Sequence, residues 1–260
     1  MNVKTKNFII EVTKEIGKLQ LKNFSYRKMK FKTKSKYFND IVTKVDKLSE
    51  RLFLQKAKKF GFQGKILTEE SGKMKLGNSN QKFILDPLDG SFFYSKGNPK
   101  FCVAIAMEEN NKIVYATVHN PITKELWFAE KGKGSFLNGK KVKVSQTKDL
   151  NKSTITLTVF PNYKVKIMEK IFSKLMTSGG LRLLTHVANL NLCYIASGRY
   201  DGLLCFYRRL DEWDKIPGMF IAEQAGALVT DIKGKKYNKN TSEFIASNKF
   251  LHKKILSLCK

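Results

Sequence analysis

The chain predicts a layered α/β or α+β fold, on three observations. Segments of helical and of strand period alternate along its whole length, so neither an all-helical nor an all-strand class fits. It has 260 residues, 42% hydrophobic and 12% aromatic, enough for one large core or two closely joined halves. No internal repeat or low-complexity linker interrupts the alternation.

In order, residues 2–26 read as an amphipathic helix, with Phe8, Ile9, Val12, Ile16 and Leu19 near helical spacing. Residues 27–37 are lysine-rich without period and predict a loop or hairpin. A second helix is expected from Asp46 to Phe60, with Leu48, Leu52 and Phe53 inward. Lys65-Ile66-Leu67-Thr68 is a short strand ending at Glu69. Strands follow at 82–85, 101–107, 112–118 and 125–129. Asn138-Gly139 is a tight-turn signal, so 132–144 reads as a hairpin closing the first half. Beyond it come a strand at 153–159, a helix at 163–176 and an apolar helix at 186–197 that leads to Gly198. A buried strand is expected at 202–206, then a helix at 214–225 closed by Gly226, and strands at 227–231 and 244–246. Ser247 or Asn248 caps a C-terminal helix. We divide the chain into an N-terminal α+β half (1–145) and a C-terminal α/β half (146–260), forming one functional unit.

Composition narrows the class. No apolar run approaches the roughly 20 residues that span a bilayer, and no signal-peptide core follows the lysine-rich N-terminus. The chain therefore reads as soluble and cytoplasmic, without a membrane partner. Cys102, Cys193, Cys205 and Cys259 form no C-x-x-C pair and read as free thiols in a reducing compartment. His119, His186 and His252 are not at zinc-ligand spacing. The 49 basic and 22 acidic residues give a net charge of +27. That excess suits an anionic substrate or a polyanion. The lysines are spread rather than blocked, and no RNA-binding or helix-turn-helix signature accompanies them. A general lysine bias is the favoured account. A nucleic-acid or polyanion-binding protein is the alternative from another class.

The acidic residues are more telling. Nine of the 22 fall in four short clusters: Asp40/Asp46, Glu69/Glu70, Asp86/Asp89 and Asp211/Glu212/Asp214. In Phe83-Ile84-Leu85-Asp86-Pro87-Leu88-Asp89-Gly90-Ser91, an apolar run delivers two carboxylates into a Pro/Gly turn closed by a hydroxyl. Paired carboxylates on one concave side repel unless a cation neutralises them. Oxygen-only ligands suit Mg²⁺, whose shell also takes phosphate oxygens and water. The first reading is metal-assisted phosphoryl transfer to water, with Gly90 and Ser91 N–H groups facing phosphate. Alone, the segment is equally a solvated turn.

Together the clusters resemble the inositol monophosphatase family, nearly end to end. Asp40-Ile41-Val42-Thr43-Lys44-Val45-Asp46 is similar to its D-x-V-T-x-x-D segment, and Thr68-Glu69-Glu70-Ser71-Gly72 to its G-E-E-S segment. Residues 83–96 fit its first signature, with Ser91 where threonine is usual. Gly132-Lys133-Gly134 with Asn138-Gly139 resembles its G-x-G…N-G hairpin. Trp213-Asp214, followed by Glu223-Gln224-Ala225-Gly226-Ala227, resembles its second signature. The resemblance implies an αβαβα sandwich of the sugar-phosphatase type, commonly a homodimer, and a Mg²⁺-dependent, lithium-sensitive phosphomonoesterase. By the same resemblance, Glu69, Asp86 and the Leu88 carbonyl would bind the metal that activates water. Asp86, Asp89 and Asp214 would hold a second ion. A third, weaker ion near Glu69 is sometimes part of the scheme. Ser91, supported by Asp46, would orient the attacking water together with Glu69, and Gly90 and Ser91 would bind phosphate. Glu70 is expected to support the ligands, Trp213 to pack beside Asp214, and Lys34 and Lys36 to be solvated rather than in contact with the cation site.

Three departures fall on the substrate side. Ile216-Pro217-Gly218 replaces small residues after the W-D pair. His186-Val187 replaces a glycine and a small hydroxyl residue. Tyr207, followed by Arg208 and Arg209, stands where inositol phosphatases place a glutamate. The expected substrate is inositol monophosphate or a related sugar or polyol phosphate, with His186, Tyr207, Arg208 and Asp214 on its side. Histidinol phosphate, fructose 1,6-bisphosphate and adenosine 3′,5′-bisphosphate are the alternatives, since tyrosine and arginine stack or bind added anionic groups. Arg208 and Arg209 equally fit pairing with Asp211 or Glu212.

Overall fold

The structure is a computed structural model and describes residues 3–28, 30–34, 41–159, 164–207 and 209–259. Asp40, Lys36 and Arg208 lie outside the described residues.

The expected helical period at the N-terminus becomes α1 (Val3–Asn23), which buries Ile9, Val12 and Ile16. A two-stranded ribbon, β1 (Lys32–Thr33) with β2 (Ile41–Val42), leads into α2 (Lys44–Lys59). Seven strands of the large sheet follow with few breaks: β3 (Lys65–Thr68), β4 (Gly72–Lys75), β5 (Gln81–Asp89), β6 (Cys102–Glu109), β7 (Lys112–Asn120), β8 (Glu125–Glu130) and β9 (Gly134–Leu137). A five-residue helix, α3 (Ser91–Ser95), interrupts them after β5, and β10 (Lys140–Val142) ends the sheet. The order is β10-β9-β8-β7-β6-β5-β3-β4. Among the described residues of this sheet, β3 and β5 are the one parallel pair.

The second sheet comprises β11 (Thr154–Val159), β12 (Leu181–Leu184), β13 (Gly202–Phe206), β14 (Leu228–Asp231) and β15 (Glu243–Ser247), in the order β12-β11-β13-β15-β14. Four helices accompany it: α4 (Val165–Thr177), α5 (Ala188–Ala196), α6 (Ile216–Gln224) and α7 (His252–Leu258).

Side-chain alternation along the strands assigns the layers. Phe83, Leu85, Val103 and Ile105 pack on α1 and α2 through Ile9, Val12, Ile16 and Phe53. Their neighbours Ile84, Ala104 and Ala106 point the other way, onto α5 and α6. The same cluster includes Leu203, Cys205 and Phe244 of the small sheet, so α5 and α6 are sandwiched between both sheets. Leu204, Phe206 and Ile245 face outward and are covered by Ile171 and Leu175 of α4 and Ile255 of α7. The layers thus run helix, sheet, helix, sheet, helix, as expected. Both middle helices are buried nearly all round, which explains their apolar composition.

Three local expectations need correction. The Asp86-Pro87-Leu88-Asp89 segment is not a free turn but the bulged end of β5. The 214–225 helix begins only at Ile216, with Pro217 in its first turn, where the missing N–H costs nothing. Strands β4 and β12 and helix α3 had no counterpart in the reading by period. The four cysteines are free, three of them buried. Among the described residues, no helix is long and apolar enough to cross a membrane.

Candidate active site

The bulge in β5 creates the site. Three positions apart on a regular strand, two side chains lie on opposite faces. Here Asp86 pairs with Ala104 and Asp89 with Cys102. Ala104 and Cys102 are two apart on β6 and share the face toward α5 and α6. The extra residue therefore returns Asp89 to the same face as Asp86. Pro87 suits the bulge, having no N–H to leave unpaired, and its carbonyl accepts a 2.7 Å bond from Gln20 Nε2 of α1. Gly90 follows at φ 92, where a Cβ would sit 2.6 Å from the Lys100 carbonyl oxygen. Glycine alone fits this reversal into α3.

Each remaining carboxylate arrives on a separate element. Glu69 and Glu70 occupy the turn between β3 and β4. Asp46 lies in the first turn of α2 and closes a reciprocal cap: the Thr43 N–H and hydroxyl donate to its Oδ2 at 2.8 and 2.6 Å. Its other oxygen accepts from the Ser91 hydroxyl. Asp46 is thus both helix cap and partner of Ser91, and both its oxygens are engaged. Ser91 Oγ also lies 2.7 Å from the Leu88 carbonyl oxygen, so its single proton chooses between the two acceptors. Asp214 sits in the turn before α6, where its Oδ2 accepts from the Asp211 N–H at 2.8 Å.

Charge coupling ties these groups into one recess. Burial raises Asp86 well above the usual carboxylate range, and Glu69, Asp89 and Asp214 push it further. Burial lifts Asp89 to about 7, against the downward pull of its Asn189 hydrogen bond. Burial, then Asp89, lifts Asp214 to about 7. Glu69 is raised to about 8 by burial, with Lys34 pulling it down and Asp214 pushing it up. Among the described residues, the three carboxylates whose oxygen atoms lie within 4.8 Å of one another are Asp46, Glu69 and Glu70; Asp86, Asp89 and Asp214 are joined to Glu69 through charge rather than at that spacing. Buried, charge-coupled carboxylates that offer only oxygen fit a hard divalent cation such as Mg²⁺.

Three supporting residues escaped the sequence reading. Glu50 of α2 is buried and accepts from the Thr68 hydroxyl at 2.6 Å, the Glu70 N–H at 3.1 Å, the Ser71 N–H at 3.3 Å and the Ser71 hydroxyl. It fixes the turn that carries Glu69. Asn189 of α5 donates its N–H to Asp89 Oδ2 at 3.2 Å and its side-chain amide to the Trp213 carbonyl at 3.0 Å, and accepts from the Gly218 N–H at 2.9 Å. Buried Lys215 donates to the Leu210 and Thr241 carbonyls at 2.9 and 2.6 Å, fastening the segment around Asp214. Lys34, expected to be solvated, instead bridges Glu69 and Glu70 at 2.7 and 2.5 Å.

The substrate-side residues border this recess. His186 precedes α5 and stacks on Phe93 of α3 with ring centroids 6.2 Å apart. Val187 is buried, its Cγ2 3.2 Å from where a Gly90 Cβ would lie. Tyr207 follows β13; burial pushes its hydroxyl well above the ordinary tyrosine range, and Cys205, Asp214 and Asp89 add to the rise. Arg209 is exposed and pairs with Asp211 at 3.2 Å. Trp213 packs on the middle-layer core, as expected.

Comparison with known proteins gives a consistent picture. The inositol monophosphatase family matches residues 1–260, the whole chain. A fructose-1,6-bisphosphatase/inositol-1-monophosphatase of Thermotoga maritima is 29% identical over 252 residues, covering 97% of this chain and 94% of its own. The Nus factor SuhB of Escherichia coli (strain K12) is 32% identical over 255 residues, with 96% and 94% covered. The crystal structure of the extragenic suppressor protein suhB from Bartonella henselae superposes with a TM-score of 0.92 at 28% identity, covering 98% of each chain.

Proposed function

The chain belongs to the inositol monophosphatase family, and from that premise we propose that it is a Mg²⁺-dependent phosphomonoesterase acting on a small phosphorylated metabolite. The observation that carries the reading is the recess of Glu69, Asp86, Asp89 and Asp214, drawn from three elements and mutually raised in pKa. Glu69 with Asp86 and the Leu88 carbonyl would hold one Mg²⁺, and Asp86, Asp89 and Asp214 a second; a third, weaker ion near Glu69 is sometimes part of the family's scheme. Bound there, the ions supply a water of lowered pKa and charge stabilisation for the attacking and leaving oxygens.

The chain's own groups do the rest. Ser91 donates to Asp46, which turns the serine lone pairs toward the recess to accept a hydrogen from the attacking water. Glu69 receives the second hydrogen bond of that water, fixing its line of approach. The Gly90 and Ser91 N–H groups meet phosphate oxygens where the chain reverses. Because the bound ions would lower the pKa of the water itself, no histidine base is needed. His186 and Tyr207 would border the alcohol half. Inositol monophosphate or a related polyol phosphate is the first substrate to try, followed by histidinol phosphate, fructose 1,6-bisphosphate and adenosine 3′,5′-bisphosphate. The cleft lies between the 1–145 and 146–260 halves, and the working unit is a homodimer.

Phosphate release from that panel, run with Mg²⁺, with chelator and with lithium, tests the reading. Release that needs Mg²⁺ and falls with lithium supports it. No release from any phosphomonoester would sink it. A polyanion-binding role is the alternative from another class that the +27 charge leaves open, and it predicts salt-dependent nucleic-acid binding that survives Asp89→Asn.

A further inference from the structure

We propose that the cavity between the β1–β2 ribbon and the first turn of α2 is a second, separate anion site, shaped for a compact ligand that carries several phosphate groups. The cavity measures about 750 Å³ and is lined by Lys28, Lys30, Lys32, Lys44 and Lys47 around Phe31. Among the described residues, no carboxylate lines it. Among the described residues, none of these five lysines makes an ion pair. Lysines nearby that have an acid within reach do use it: Lys34 holds Glu69 and Glu70, and Lys56 of α2 holds Glu15 at 2.6 Å. Among the described residues the five thus have no acidic partner, and they are gathered from two chain segments onto one recess.

Five like charges sharing a recess repel, and a multivalent anion relieves that repulsion at several contacts at once. The positive end of the α2 dipole points the same way. Thr43 adds nothing to the anion through its hydroxyl, which is committed to Asp46, so the lysines carry the recognition. Phe31 is fixed by Lys96 over its ring at 5.1 Å and offers a floor rather than an open stacking face. Phosphate suits the charge: each monoester group carries about −1.5 to −2, so two or three balance the five lysines. The volume is of small-ligand size.

The cavity adjoins the carboxylate recess without being part of it. Thr43 lines the one, and its partner Asp46 borders the other. The inference does not depend on phosphatase activity, and its test uses none. Inorganic tripolyphosphate is titrated into the full chain by calorimetry in the presence of chelator, where the carboxylate recess repels anions. A parallel arm uses a short single-stranded oligonucleotide. Expected are saturable one-site binding of tripolyphosphate that weakens with added salt, and a loss of about tenfold in the Lys44→Gln/Lys47→Gln double variant, the sum of two exposed charge contacts. The Lys44→Arg/Lys47→Arg variant retains binding, and an unchanged melting temperature shows that each variant is folded. Absence of saturable binding, or equal binding by the glutamine variant, overturns the proposal. Binding of the oligonucleotide without tripolyphosphate overturns it in favour of a nucleic-acid groove.

Discussion

Glu50→Ala separates holding the fold from holding the metal ligands. The Glu50 carboxylate is 4% exposed and accepts from four donors. Its removal leaves the fully buried Thr68 hydroxyl without an acceptor. The Glu70 and Ser71 donors lie in a half-buried turn and recover part of their bonding from water. One stranded hydroxyl plus the net loss at the others amounts to about 3 kcal/mol. At about 2–4 °C per kcal/mol for a chain of this size, melting falls by about 6–12 °C. The turn that loses its anchor carries Glu69, so the half-activating Mg²⁺ concentration rises by about 10–100-fold, as for other lost partners of metal ligands. Differential scanning fluorimetry reads the first effect, and a Mg²⁺ titration of phosphate release at a temperature well below melting reads the second. Glu50→Gln keeps one acceptor oxygen and recovers part of both. A lowered melting point with unchanged Mg²⁺ activation would refute the reasoning, because Glu50 would then only hold the fold.

Other outcomes follow from the same geometry. Asp89→Asn keeps the fold, since it removes a repelling charge, but lowers Mg²⁺-dependent turnover by about a hundredfold or more; retained turnover would remove Asp89 from the ligand set. With chelator present, melting temperature falls as pH rises from about 4 to 8. Asp89, Asp214 and Glu69 have folded pKa values raised to about 7, 7 and 8, so the folded chain binds more protons there than the unfolded one and loses that advantage as pH climbs. Added Mg²⁺ competes with those protons, so its stabilisation grows toward pH 8; a flat pH dependence of the melting shift would contradict the crowding. Ser91→Thr leaves turnover little changed and Ser91→Ala strongly lowers it, because the hydroxyl bonded to Asp46 is the working group; a large gain on Ser91→Thr in steady-state assays would show that serine is a handicap.

The parts of the site legible in the sequence are those whose chemistry is local. Asp86 and Asp89 stand out because an apolar run, a proline and a glycine surround them. What the run did not reveal was the bulge: the same letters spell a turn or a strand that gains one residue, and pairing with Ala104 and Cys102 decides between them. Glu50 and Asn189 were missed, and Lys34 was expected to be solvated, for a shared reason. Their partners lie 18 to 21, 100 and 35 to 36 residues away, beyond any spacing rule. Strand β12 is an edge whose pairing with β11 holds it extended, and its Leu-Arg-Leu-Leu sequence has no alternation to announce that. The αβαβα order was legible through the family resemblance. The burial of α5 and α6 between two sheets explains why these two short helices are apolar on every side.

Asn189 bonds Asp89, which belongs to the large sheet, and the carbonyl beside Asp214, which hangs from the small one. The interval between those carboxylates is therefore an interlayer spacing, set by how closely α5 and α6 approach. That approach is as tight as it can be: a Cβ on Gly218 would fall 2.9 Å from Leu192 Cβ and 3.0 Å from the Asn189 Cα. The middle layer thus works as a gauge block. A methyl group added deep in the core would be felt as a change in the gap between two carboxylates of the proposed metal site, so packing and that site answer to one dimension.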